Sequence, residues 1–402
     1  MMSRALHCHW LTGLCLLAAT ACNAGTAEPT ATSESRTDAP SASPVESVTA
    51  PLAVAAIDPM PTPRAAHSAT RLRDGRVLIA GGCVADGCEE GIADDAIVFN
   101  PASSRFSPAG KLVQPRVGHR AIALDDGSVL LLGGWTRAGV TDLVERYVPE
   151  TGRFEAAGRM LEPRDGFSAT LLADGTILIA GGYGDGMRRL ATAERYEPAS
   201  GHSRAAGSMS EPRMSHTATL LADGRVLVAG GSRSSGEVLA TLEVLDPATN
   251  AFTPAGTLTR ARHKHAAVAM GHRVLLLGGA SIPESDGHFA DSEWWSGDGT
   301  SAGPRMATGR YKFLDSLATL DDGSVLVAGG GANAEVLSAD GDAFATLDER
   351  IGQQLAFATA TALDDGRILV AGGYDPDIRV SRKAWLVSRS TPASSPHPTT
   401  TN

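Results

Sequence analysis

Two sets of side chains in this 402-residue sequence could do chemistry. The first is irregular. Trp135, Tyr183 and Tyr374 each directly follow a Gly-Gly pair, and Arg137, Asp185, Arg188, Asp375 and Asp377 come soon after. Aromatic faces beside carboxylates suit a sugar ring, which stacks on one side and hydrogen-bonds at its rim. The candidate ligand-binding residues are therefore Trp135, Tyr183, Tyr374, Arg137, Asp185 and Asp375. The plainer alternative is that these aromatics only fill loop packing. The segment from Ala280 to Ser292 is the longest of its kind and a candidate lid, carrying Asp286, His288 and Asp291.

The second set recurs. Arginines stand at 64, 116, 164, 213 and 260, with Lys312 near the equivalent place and Leu355 in the last copy. Acidic residues recur at Glu145, Glu194, Glu243, Glu293 and Glu335, with Ile97 and Ala384 in their place in the first and last copies. The arginines could form an anion site. A repeated ion pair explains both series better, whether within one repeat or between neighbours. Histidines recur at His67, His119, His216 and His263, with Phe167, Asp315 and Ala358 elsewhere. A metal site is one reading. A hydrogen bond from each histidine to a neighbouring loop is the simpler one.

The elements that position these groups come from a phrase written seven times. It runs from an Asp-Gly turn through a short β-branched stretch to two glycines, as in Asp74-Gly75-Arg76-Val77-Leu78-Ile79-Ala80-Gly81-Gly82. Successive glycine pairs lie 52, 48, 49, 48, 51 and 43 residues apart. Asp-Gly between apolar segments predicts a two-residue type I′ hairpin. The second strand is apolar on both faces, as a strand between layers must be. The fifth copy is one residue shorter, with Met270-Gly271-His272 at the turn. Third and fourth strands follow, as in Glu194-Arg195-Tyr196 and Arg153-Phe154-Glu155. Four strands per repeat of about 50 residues describes a β-propeller blade.

With these motifs the sequence resembles the kelch family, also seen in the central domain of galactose oxidase. The resemblance spans all seven repeats and implies an all-β, seven-bladed propeller of four-stranded antiparallel blades over residues 52–388. The last repeat stops at its third strand, Lys383 to Val387, and the segment 52–64 looks like the end of a blade. The N-terminal strand is therefore expected to complete blade seven and remove a free sheet edge.

Outside the repeats, residues 1–21 read as an export signal, with Arg4 ahead of an apolar stretch too short to span a membrane. The sequence Ala19-Thr20-Ala21-Cys22 resembles the lipobox of bacterial lipoproteins, which implies lipidation of Cys22 and attachment to a membrane of the cell envelope. Residues 22–51 read as a flexible tether, and 389–402 as a disordered tail. Cys83 and Cys88 are five residues apart in an exported loop, which favours a disulfide over a zinc site. A formal charge of −10 argues against nucleic-acid binding. No motif calls for a cofactor or a metal.

Two function classes follow. The first is a binding or scaffold module for a carbohydrate or protein partner, and the regularity of the repeats favours it. The second is a propeller enzyme acting on a sugar. The galactose-oxidase resemblance would imply a copper radical site with two tyrosines, two histidines and a crosslinked cysteine. Tyr147 and Tyr196, however, occupy a repeated strand position. An epimerase-like site would need acid/base groups at the channel mouth, for which Asp185, Asp315, His288 and Asp375 are candidates.

Overall fold

The computed structural model describes residues 51–389 apart from 87, 89, 90, 283–286, 348–350, 352 and 353. The expected leader, Cys22, most of the tether, Asp286 and the tail beyond 389 lie outside the described residues.

Seven four-stranded antiparallel sheets form the blades of a propeller. Their innermost strands, in order from blade one, are Ser68–Arg71, Arg120–Ala123, Ser168–Leu171, Thr217–Leu220, Ala266–Met270, Leu317–Thr319 and Thr359–Ala362. The N-terminal strand Leu52–Ala56 pairs antiparallel with Ala384–Arg389 and is the outermost strand of blade seven, as expected. The circle is thus fastened between the two ends of the propeller.

The second strands are buried along their length, apart from Arg273 at the start of that in blade five, because alternate residues face different neighbours. In blade one, Val77 and Ile79 pack with Leu369, Ala371 and Leu386 of blade seven. Leu78 and Ala80 pack with Val129, Leu131 and Tyr147 of blade two. Each such buried valine, leucine or isoleucine side chain stabilises the fold by roughly 1.5–3 kcal/mol.

The hairpin turns differ from the type I′ expectation. In blade one, Leu72 N–H bonds Arg76 O at 2.7 Å and Gly75 N–H bonds Leu72 O at 3.0 Å. Only the glycine is left-handed, at φ +82°, so the turn is a three-residue loop closed by a glycine bulge. The cause is the aspartate. Asp74 Oδ1 accepts the Arg76 N–H at 3.1 Å, which holds Asp74 in an ordinary conformation. Asp126, Asp174, Asp223, Asp322 and Asp365 do the same in their blades.

The recurring charges are resolved as ion pairs within single blades, in six of the seven. Arg64, Arg116, Arg164, Arg213, Arg262 and Arg310 are fully buried or nearly so. Each donates from Nη1 to the carbonyl of the first glycine in its own blade's pair, at 2.7–3.0 Å. Each also meets a carboxylate of its own third strand: Asp95, Glu145, Glu194, Glu243, Glu293 and Glu335 respectively, at 2.5–2.9 Å. The glutamate in turn accepts backbone N–H groups of the crossover from the preceding blade, such as Val113 and Gln114 on Glu145. The carbonyl of each arginine accepts the N–H of the second glycine in the preceding blade, at 2.8–3.0 Å. One residue therefore ties two blades together. Its burial is tolerable because every charge finds a partner. The glycine beside it is obligatory: a Cβ on Gly81, at φ +60°, would lie 2.6 Å from Arg116 O.

Three expected positions are corrected. Arg262 and Arg310 occupy the buried site, not Arg260 and Lys312. Arg260 instead lies over the Phe289 ring and pairs with Asp291. In blade one Ile97 does stand at the glutamate position, opposite Ile79, and Asp95, two residues earlier on the same strand, supplies the carboxylate. In blade seven the residue opposite Val370, where the glutamate would stand, is Trp385 and not Ala384. Trp385 and Leu355 belong to one apolar cluster, so that blade replaces both ionic partners with hydrocarbon.

The histidine series forms a second seam. Its members are His67, His119, His216 and His265, with Phe167, Phe313 and Ala358 in the other blades. His263 and Asp315 are not part of it. Nε2 of each histidine meets a hydroxyl on the innermost strand of the preceding blade: Thr359, Ser68, Ser168 and Thr217. Where the next blade has no histidine the position varies: it is Arg120, whose Nε bonds Phe167 O, or Ala266, or Ser316, whose hydroxyl bonds Ala358 O.

Truncating one partner of a buried pair leaves the other charge uncompensated. Glu243→Ala should lower unfolding free energy by about 3–5 kcal/mol in urea titrations. The double variant Arg213→Leu, Glu243→Trp, which copies blade seven, should recover more than half of that loss.

Candidate functional site

The loops after the glycine pairs and the segments entering the innermost strands emerge together at one end of the channel. Seven residues ring this mouth: Ala66, Gly118, Gly166, Ser215, Lys264, Lys312 and Phe357, all left-handed with φ between +49° and +70°. Five are not glycine, a conformation that L-residues adopt only when their surroundings enforce it. The enforcement is a circle of backbone bonds. Ala66 N–H bonds Phe357 O, Gly118 bonds Ala66, Ser215 bonds Gly166, Lys264 bonds Ser215, Lys312 bonds Lys264 and Phe357 bonds Lys312, at 2.7–3.2 Å.

The circle breaks once, between blades two and three. There Gly166 N–H turns to Asp165 Oδ1 at 2.6 Å, and the Tyr183 hydroxyl donates to Asp165 Oδ2 at 2.7 Å. Burial pushes the Asp165 carboxyl up to about 6, against the opposing pull of the Tyr183 hydroxyl, the Gly166 N–H and Arg120. The same burial, with Asp165 beside it, raises the Tyr183 phenol far above its ordinary range. Gly118 leaves the room: a Cβ there would stand 2.7 Å from Asp165 Oδ1.

Of the residues singled out in the sequence, Trp135 and Tyr183 are brought together, with ring centroids 6.4 Å apart at 40°. The Trp135 ring is half-buried, whereas Tyr183 and Tyr374 are 2% and 3% exposed. Tyr374 stands apart, edge-on to Phe357 and within 3.5 Å of Cys88 Sγ. Cys88 is bonded to Cys83, as expected. The disulfide loop of blade one also reaches blade seven where Asp86 accepts the Val380 N–H. Arg137 and Asp185 are exposed. Asp375 accepts the N–H groups of Asp377 and Arg379 and shapes its own loop. On the opposite side of the mouth, His288 stacks on Tyr311 at 4.9 Å, with Lys264 and Lys312 Nζ 5.2 and 5.0 Å from the Tyr311 ring. Asp291 is held by Arg260 and Arg262.

Inside the mouth lies a cavity of about 260 Å³. It is lined by the innermost strands, with hydroxyls at Ser68, Thr70, Thr219 and Thr359. Arg120 of blade two reaches across it to Asp315 of blade six at 3.2 Å. Asp165, Lys264 and Arg120 carried no repeat signature that would have drawn attention to them, and Lys312 stood out only as a member of the arginine series. The left-handed positions ahead of the innermost strands include Lys264 and Lys312 themselves, and Gly166 beside Asp165.

Among the described residues no group of three or more His, Cys, Asp or Glu side chains could hold a metal ion. Burial holds the His67 and His216 rings down at about 3 and the His119 and His265 rings well below their usual value, so they are neutral hydrogen-bonding groups.

These shifts act in opposite directions with pH. The histidines stabilise the fold fully above pH 6.5, and that contribution is lost as pH falls toward 3. The raised Asp165 carboxyl stabilises at low pH and loses its contribution as pH rises from about 4 to about 6. His216→Phe, copying blades three and six, should remove about 2 kcal/mol of the stability lost between pH 7 and 5. Asp165→Asn should make that acid loss larger. Denaturation midpoints at pH 5, 6 and 7 check both.

A kelch motif model matches residues 213–259, which run from the buried arginine of blade four through its outermost strand. No curated protein matches the chain. A fungal alcohol oxidase, described as novel, with catalytic diversity among the AA5 family and in complex with copper, shares 14% identity at a TM-score of 0.65. The match covers 85% of this chain and 76% of that one. YjhT shares 11% identity at a TM-score of 0.56, over 83% of this chain and 97% of that one. At these identities the likeness speaks for the fold alone. Among the described residues no set fits the oxidase's copper: the described cysteines are joined to each other, and Tyr147 and Tyr196 are buried in blade cores. The chain carries a kelch motif in the fourth blade of a seven-bladed β-propeller.

Proposed function

We propose that this protein is an exported binding module that presents its channel mouth to a carbohydrate or protein partner. One observation carries the reading. The polar side chains that repeat are consumed by the seams, whereas those that differ from blade to blade collect around a single mouth. Loops fixed on a rigid scaffold are where recognition usually resides. Trp135, half-buried beside Tyr183 and next to exposed Arg137, offers the aromatic edge of that surface.

The leader over residues 1–21 and the lipobox-like Cys22 support an envelope address, with the chain attached to a membrane through acyl groups. Two or more acyl chains on one cysteine would anchor it stably. The tether that follows would hold the propeller clear of the lipid surface.

A glycan array and a pull-down with the exported chain separate the two partner classes. Trp135→Ala should weaken binding at least tenfold, about the 1–2 kcal/mol expected of an aromatic anchor. Unchanged binding by this variant would remove the mouth from the account. Cys22→Ser should release the protein from the membrane fraction.

A further inference from the structure

The residue at each blade's inner edge, opposite the last residue of its second strand, meets the next blade. In ring order these residues are Ser68, Arg120, Ser168, Thr217, Ala266, Ser316 and Thr359. Ser68, Ser168, Thr217 and Thr359 are each taken by a histidine of the next blade. Ser316 donates its hydroxyl to Ala358 O, and Ala266 carries no polar side-chain group. The seam uses one donor of Arg120, the Nε on Phe167 O, and does not account for the rest of the guanidinium.

Its setting is that of a held cation. Arg120 Nε donates to Phe167 O at 3.0 Å, which fixes the plane of the group. Nη1 reaches the two oxygens of Asp315 at only 3.3 and 3.2 Å. Among the described residues Nη2 makes no hydrogen bond. The Asp315 side chain is 59% exposed and that of Arg120 22%, so the carboxylate sits at the rim and the guanidinium inside. The rest of the lining is neutral: hydroxyls, small apolar groups, and histidines whose Nε2 is occupied. A planar guanidinium with a free edge, in a cavity of hydroxyls, suits a carboxylate held by two parallel bonds.

We propose that the axial cavity binds a small hydroxylated monocarboxylate, which replaces Asp315 on Arg120. The 260 Å³ volume holds roughly eight waters' share of liquid, enough for a three- or four-carbon hydroxy acid. A second carboxylate on the ligand would meet the displaced Asp315, which disfavours diacids. Asp315 is then an internal occupant of the site, and removing its charge opens the site.

The test is titration calorimetry of the full chain with sodium glycerate, with glycerol as the uncharged control and sodium chloride as the salt control. Wild type should bind glycerate saturably and glycerol not at all. Asp315→Asn should bind glycerate roughly two- to fivefold more tightly, the effect of removing one exposed competing charge. Arg120→Gln should abolish binding without changing the unfolding midpoint by more than a few degrees. Trp135→Ala should leave glycerate affinity unchanged, so the outcome is independent of the partner-binding reading. The proposal is overturned by a wild type that takes no glycerate, by equal binding of glycerol, or by an Asp315→Asn variant no tighter than wild type. Retained binding in Arg120→Gln overturns it as well. Should Arg120→Gln fail to fold, the Asp315→Asn comparison decides alone.

Discussion

A buried guanidinium shared between two neighbouring blades is the constraint on which this propeller rests. Its side chain bonds the glycine carbonyl and the acid of its own blade, while its backbone carbonyl takes a glycine N–H from the blade before. Neither glycine could carry a Cβ. The guanidinium could not be buried without the acid, and the acid could not be satisfied without the crossover N–H groups. Each requirement is local, yet repeating it makes a ring. Blade seven shows that the ionic version is not compulsory, since Leu355 and Trp385 fill the same space with apolar groups and keep the backbone bond.

The architecture was legible because it is written many times. Glycine pairs, aspartate turns and the incomplete last repeat together predicted the blade count and the strand exchange that closes the circle. Register was harder. Around residues 260–265 the chain reads Arg-Ala-Arg-His-Lys-His, so two frames two residues apart both place an arginine three before a histidine. The shortened hairpin of blade five removes the count that would separate them, and the buried frame proved to be Arg262 and His265. The turn type was missed for another reason. Asp-Gly suits more than one turn, and the aspartate's bond to the N–H two residues on decides among them.

The candidate site was only partly legible. Residues after the glycine pairs do converge on one mouth, but Tyr183 and Tyr374 are drawn into its walls and leave Trp135 as the half-exposed aromatic. What the sequence could not display was the left-handed circle beneath them. Its members share a conformation and not a residue type, so Ala66, Ser215, Lys264 and Phe357 look unrelated until the backbone is seen. The single break in that circle, filled by Asp165, and the charge across the cavity at Arg120 are departures from a repeated plan. In a repeat protein such departures are where function is to be sought.

The central claim is that the same backbone bond closes all seven seams, including the one that joins the chain's two ends. Amide hydrogen exchange of Gly82, Gly134, Gly182, Gly231, Gly279, Gly330 and Gly373 tests it directly, because each donates across one seam. Comparable slow exchange at all seven, with Gly373 as protected as Gly182, is the predicted result. Rapid, loop-like exchange at Gly373 alone would mean that the circle opens between blades seven and one, and would contradict the account.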